Sequence, residues 1–129
     1  LGHDFVPEPI HAGGVRYHGM SPLVSHLYAN DYVEAINLPQ RECVAGALQF
    51  AQTEGIVPAP EPTHASAAAI REALACKESG EEKVILPALC GHGHLDLASY
   101  ETYLSGEMVD YDLPDSAIAE AMESVPVIA

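Results

Sequence analysis

Residues 83–90, KVILPALC, form a near-continuous apolar run. A run of that length and character fits a strand buried on both faces, as found in parallel sheets that helices cover on both sides. No other feature constrains the fold as much. Such a strand needs neighbouring strands and two helical layers, so it points to an α/β architecture. Pro87 inside the run removes one ladder donor. Gly91-His92-Gly93-His94 follows at once as a glycine turn.

The remaining pattern supplies helices. Ser21-Pro22 is a helix start, with Ser as cap and Pro at the first helical position, and Asn30-Asp31 ends that helix. Residues 33–38, VEAINL, alternate and are β-prone, which predicts a second strand before Pro39. Val44, Ala47, Leu48 and Ala51 recur at helical spacing over 41–54, and Gly55 follows as a left-handed terminator. Residues 56–62, IVPAPEP, read as an extended connector. Thr63 is then the expected cap of a helix over 64–79, closed by Gly80. Helical spacing returns over 96–104, ended by Gly106, and again over 115–125. Residues 1–19 are rich in Gly, Pro and His and read as an irregular loop. The expected fold is α/β, a small parallel sheet with flanking helices joined by right-handed crossovers. With so few strands, it reads as part of a larger sheet.

Charge narrows the function. Five basic residues face 19 acidic ones, a formal net charge of −14. Nucleic acid is excluded, because phosphate binding needs clustered Lys and Arg. An anionic membrane surface is disfavoured for the same reason, and no apolar run approaches the ~18 residues of a membrane helix. The start of the chain shows no basic-then-apolar signal, so a cytoplasmic location is expected. Cys43, Cys76 and Cys90 are odd in number and widely spaced, which suits neither a disulfide framework nor a zinc ribbon. Trp is absent and Phe occurs twice. An Ala, Leu and Val core buries little area per residue, so help from a partner surface is expected.

Chemistry-bearing residues gather around the glycine turn. Ligands of open α/β sheets bind beyond the carboxyl ends of strands, which puts Cys90 and the turn amides in a cofactor's path. The plainer reading is a strand-to-helix turn with solvent-facing histidines. His92 and His94 form an HxH pair with Asp96 two residues on, a partial metal-ligand pattern that needs a third ligand such as His64. A Cys90–His pair is a second alternative, with the thiol near a helix start. Glu54 stands at a helix C-terminus, where its charge opposes the macrodipole. His11 and His18 flank Gly13, Gly14 and Arg16 in a loop able to line a site or simply to pack.

Several segments together resemble one family. HAGGVRYHGM (11–20), PLVSHLY (22–28), TEGIVPAPEPTHA (53–65) and CGHGHLDL (90–97) are similar to the C-terminal part of tryptophan synthase β chains, most of all the second, β-like type. The likeness runs in order from Leu1 to about Gly106. It divides the chain into a β-like segment, 1–106, and an acidic helical tail, 107–129, in which no likeness is visible. The resemblance implies a piece of the fold type II pyridoxal-phosphate (PLP) architecture and a lyase reaction, replacement of serine's hydroxyl by indole.

By resemblance, Cys90 takes the position facing the pyridine nitrogen, where the family usually has Ser. Gly91 and His92 lie beside the ring, and Glu54 lies near the cofactor. Asp4, in Gly2-His3-Asp4-Phe5, takes the position near the substrate's hydroxyl, and carbonyls around Phe5 are the candidates for a monovalent-cation site. The family's cofactor-binding lysine and phosphate loop belong to its earlier, N-terminal part. Lys77 and Lys83 are the only lysines here. The expectation is therefore a fragment, inactive alone, that does not retain PLP by itself. Its partner would be the missing N-terminal part or a homodimer partner. The competing readings are a stand-alone dimeric binding module and a small His-rich metal protein.

Overall fold

The computed structural model describes residues 4–17 and 19–126, and five α-helices among them: α1 (Pro22–Ala29), α2 (Gln40–Glu54), α3 (Pro60–Ser79), α4 (Leu97–Leu104) and α5 (Asp115–Glu123). Single 3-10 turns occur at Gly13–Val15 and Gly93–Leu95. Gly2, His3 and His18, assigned above to the first loop and the Asp4 motif, lie outside the described residues.

The centre is α2 against α3. Cys43, Val44, Gly46 and Ala47 are buried on α2, and Pro60, Pro62, Thr63, Ser66 and Ala67 on α3. Small residues bring the backbones close. A Cβ on Gly46 would lie 3.1 Å from the Ala67 Cα. Gly55 and Gly80 close the two helices in the left-handed conformation, at φ 71° and 73°, as their positions predict.

α3 begins at Pro60, four residues before the expected start. The first amides of a helix have no internal acceptor, so Pro60 and Pro62 lose nothing in the first turn. Thr63 is therefore not the cap. Its buried hydroxyl donates to the Pro60 carbonyl at 2.6 Å. Pro22 does start α1, while Ser21 makes no side-chain cap bond.

The expected parallel sheet is not found among the described residues. Residues 33–38 and 83–90 carry no ladder, and the one β interaction is an isolated antiparallel bridge between Pro58 and His92. A strand exists only through the neighbour that accepts its hydrogen bonds, and neither segment meets one here. Val84 and Leu86 are 99% and 93% exposed. The run that reads as doubly buried thus lies uncovered.

The stretch after Gly106 is tied into the core. Met108 is buried with Val44, Ala47 and Tyr100. Pro39, at the N-cap of α2, brings no side-chain bond, and Asp110 serves instead, accepting the Arg41 N–H at 3.0 Å. Gln40 donates to the Val109 carbonyl beside it.

Much apolar surface remains open. No residue of α1 is buried, and Leu23 is 77% exposed. The accessible surface is 9629 Å², whereas a compact monomer of this mass exposes about 6,600 Å².

Candidate functional site

The bridge brings together the two segments that carry most of the predicted site. The Ala59 N–H donates to the Gly91 carbonyl at 3.0 Å, and the Gly93 N–H to the Val57 carbonyl at 2.7 Å. Pro58, between them, has no N–H to give. Its carbonyl accepts the Tyr100 hydroxyl of α4 at 2.5 Å. Two hydrogen bonds thus clamp the stretch after Glu54 onto the turn after Cys90, and a third ties that stretch to α4. Tyr100 is buried, and burial, with Asp96 nearby, pushes its hydroxyl up to about 12. It therefore stays a donor across the neutral range.

The glycines of the turn are needed for this approach. A Cβ on Gly93 would lie 2.4 Å from the Pro58 oxygen, and one on Gly91 would lie 3.0 Å from the Ala59 Cβ. Sequence reading attributes these glycines to ligand approach. Here it is the chain's own 57–59 segment that comes close.

Around the clamp, the side chains point to solvent. Cys90 and His92 are exposed, Gly91 is half-buried, and Glu54 is exposed as the last residue of α2. His92 Nδ1 accepts the His94 N–H at 3.3 Å, and the two rings stand 5.1 Å apart. Among the described residues no group of three His, Cys, Asp or Glu side chains is placed to hold a metal. His64 sits on α3, its Nδ1 at 3.2 Å from the Glu61 carbonyl. No hydrogen bond joins Cys90 to either histidine among the described residues. The metal and cysteine-nucleophile readings thus gain no support.

Asp4 is exposed at the start of the described residues. Phe5 next to it lines a hollow of about 170 Å³ with Val15, Arg16 and Tyr111. Arg16 belongs to the loop that the sequence reads as able to line a site or simply to pack. Its Nη2 donates to the Pro7 carbonyl at 3.1 Å, and no acceptor reaches its buried Nε among the described residues. The loop that carries it is held by Glu61, whose Oε1 accepts the Gly14 N–H at 2.7 Å. Tyr100 was missed, since its helical spacing with Leu97 and Leu104 reads only as core. Nothing in the local pattern marks its hydroxyl.

The lysines lie elsewhere. Lys77 is in the last turn of α3. Lys83 Nζ is 3.2 Å from Glu81 Oε2, and that contact holds its ammonium above the ordinary range.

No family model matches the chain. Individual relatives do. A tryptophan synthase beta chain 2 from Aquifex aeolicus (strain VF5) is 62% identical over 110 residues, 85% of this chain and 25% of that protein. The protein of the same name from Methanosarcina mazei is 58% identical over 108 residues, 84% of this chain and 24% of its own length. Over the shared stretch this chain belongs with the tryptophan synthase β chains. It spans about a quarter of the length of these relatives.

A tryptophan synthase beta chain 2 from Pyrococcus furiosus is 48% identical over 126 residues, 98% of this chain. That match takes in most of the stretch after Gly106, where the sequence by itself shows no likeness. The buried Met108 and the Asp110 cap give this stretch a structural role in common with the rest.

Proposed function

We propose that this chain forms one wall of the pyridoxal-phosphate site of a tryptophan synthase β-type lyase, which replaces the hydroxyl of serine with indole. The observation that carries the reading is the clamp. It ties the TEGIVPA and CGHGH segments, far apart in sequence, into one surface that presents Cys90 and His92 to solvent.

The residues present fit the ring side of the cofactor. The Cys90 thiol is a weak neutral donor suited to a pyridine nitrogen. Gly91 and His92 flank it, and Glu54 supplies a carboxylate to hold or move a proton near the ring. Asp4 orients the departing hydroxyl of serine, and carbonyls around Phe5 hold a monovalent cation. When bound, the pyridine ring supplies an electron sink, and the protein's part is orientation and electrostatics.

The residues present do not fit the other side. Of the five cations, Arg71 is paired with Glu42 and Lys83 with Glu81. An amine that attacks a carbonyl must first lose its proton, and Glu81 favours the protonated form of Lys83. The phosphate cradle and the cofactor-binding lysine are therefore assigned to the remainder of a β-type enzyme, on the same polypeptide or another. The exposed run 83–90 takes its place as a strand of a parallel sheet, and α1 is covered, when that remainder is present.

PLP titration of the 129-residue chain tests the reading, with absorbance, borohydride reduction and peptide mapping. No cofactor is expected to survive desalting from the chain alone. Retention is expected once the other three-quarters of the Aquifex aeolicus relative is added. A reduced adduct at Lys77 or Lys83 in the chain alone would overturn the division of the site. Failure to retain cofactor even with the remainder would overturn the cofactor wall itself.

A further inference from the structure

We infer that Tyr100 is the positioning residue of this wall: its hydroxyl, through the Pro58 carbonyl, sets where Gly91 and His92 stand relative to Glu54. The inference rests on the cofactor reading above. An isolated bridge has only two backbone hydrogen bonds, Ala59 N–H to Gly91 O and Gly93 N–H to Val57 O, and no ladder on either side to hold it. Such short pairings do not persist in water unless something packs on them. Tyr100 does so from α4. Its ring belongs to the core cluster with Val44, Ala47 and Met108, so it is anchored to α2. The bridge takes up the Val57 carbonyl and the first turn of α3 the Ala59 carbonyl, and the Tyr100 hydroxyl reaches the remaining one, that of Pro58.

The geometry makes this contact a gauge as well as a tie. Glu54 ends α2, and Val44 and Ala47 of that helix hold the Tyr100 ring. Gly91 and Gly93, on either side of His92, are held to Ala59 and Val57. Tyr100 is thus the shared reference between the helix that carries Glu54 and the turn that carries Gly91 and His92. Losing the hydroxyl leaves both segments folded but frees their separation. Sites of this kind lose function when their support loosens by about 1 Å.

The test uses the 129-residue chain with pyridoxine 5′-phosphate, which lacks the aldehyde and so leaves lysines unmodified. Amide resonances are followed during titration in the parent and in Tyr100→Phe. In the parent, the signals of Glu54, Cys90, Gly91 and His92 are expected to move together with one dissociation constant. In Tyr100→Phe, signals from α2 and α3 stay in place, binding weakens about tenfold, and Gly91 and His92 no longer move in step with Glu54. A second variant, Ala59→Pro, deletes one bridge donor at a backbone angle that Pro adopts (φ −66°). It is expected to show the same loss with Tyr100 intact, and it decides the matter if Tyr100→Phe does not fold. Unchanged affinity and concerted shifts in the folded variant would overturn the role of Tyr100 alone. A parent in which those four signals do not respond would overturn the cofactor wall, and the role of Tyr100 with it.

Discussion

Substituting Gly93 by Ala tests the clamp directly. The added Cβ would lie 2.4 Å from the Pro58 oxygen, 2.9 Å from Val57 Cγ1 and 3.1 Å from the Pro58 carbonyl carbon. Non-bonded carbons rest about 3.5–4.0 Å apart, and two of these three obstacles are backbone that cannot rotate aside. The turn must therefore retreat by about 1 Å. That retreat stretches the Gly93 N–H to Val57 O bond, now 2.7 Å, beyond hydrogen-bond range, and weakens Ala59 N–H to Gly91 O. Two bonds at about 1 kcal/mol each, with about 1 kcal/mol of residual strain, give a loss of about 2–4 kcal/mol. Gly93 does not have positive φ, so the cost is steric and not conformational. Urea unfolding followed at 222 nm measures it. Gly13→Ala is the control, since its Cβ meets nothing within 4 Å. A Gly93→Ala chain as stable as that control would refute the close approach of the two segments.

Asp110→Ala should cost about 1 kcal/mol by removing the cap of α2, and Asp110→Asn should restore most of it in the same urea assay. The Arg71 guanidinium, bonded to both oxygens of Glu42, holds that carboxyl below its ordinary 4.5. A depressed folded value means that the contribution is present above the unfolded value and is lost as pH falls through the folded one. Carboxyl titration by NMR should return Glu42 to its ordinary value in Arg71→Gln. Thiol labelling at pH 8 should modify exposed Cys90 first and Cys43 only on unfolding, because burial pushes the Cys43 thiol up to about 11. Rapid labelling of Cys43 in the folded chain would contradict its burial on α2.

The helices were legible because their signals are local. Gly55, Gly80 and Gly106 all have positive φ, as terminators after apolar spacing should. The start of α3 was misread because Pro60 and Pro62 look like a connector, although the first turn of a helix tolerates Pro. The sheet failed for a different reason. Apolar runs at 33–38 and 83–90 report what a strand would prefer to touch, and a strand forms only if the touching segment is there. The turn at 91–94 was legible as a special place, but the cause differs from the expectation. Gly93 is required by Pro58, and the partner of that contact lies 35 residues away, where no periodicity links the two. Asp110 and Tyr100 escaped notice likewise, since each acts through one polar atom on a distant backbone group.

The open apolar surface separates what folds this chain from what completes it. α1, PLVSHLYA, carries no acidic or basic residue apart from His26, and none of its residues is buried. Residues 84–89 are also free of charge, and Val84 and Leu86 stand in solvent. Interface cores are depleted of charge in this way, while the net charge of −14 is carried by the rest of the chain. The proposed remainder of the enzyme is the natural cover, and Leu23→Glu tests it. Leu23 buries little, and a carboxylate near the start of α1 suits the helix dipole. The chain's own stability should therefore stay within about 0.5 kcal/mol of the parent. Assembly with the remaining three-quarters of the Aquifex aeolicus relative, measured by sedimentation, should weaken about tenfold or more, because a charge buried without a partner is costly. Equal assembly by parent and variant would mean that α1 faces solvent in the complete protein too, and that the excess surface belongs to some other part of the chain.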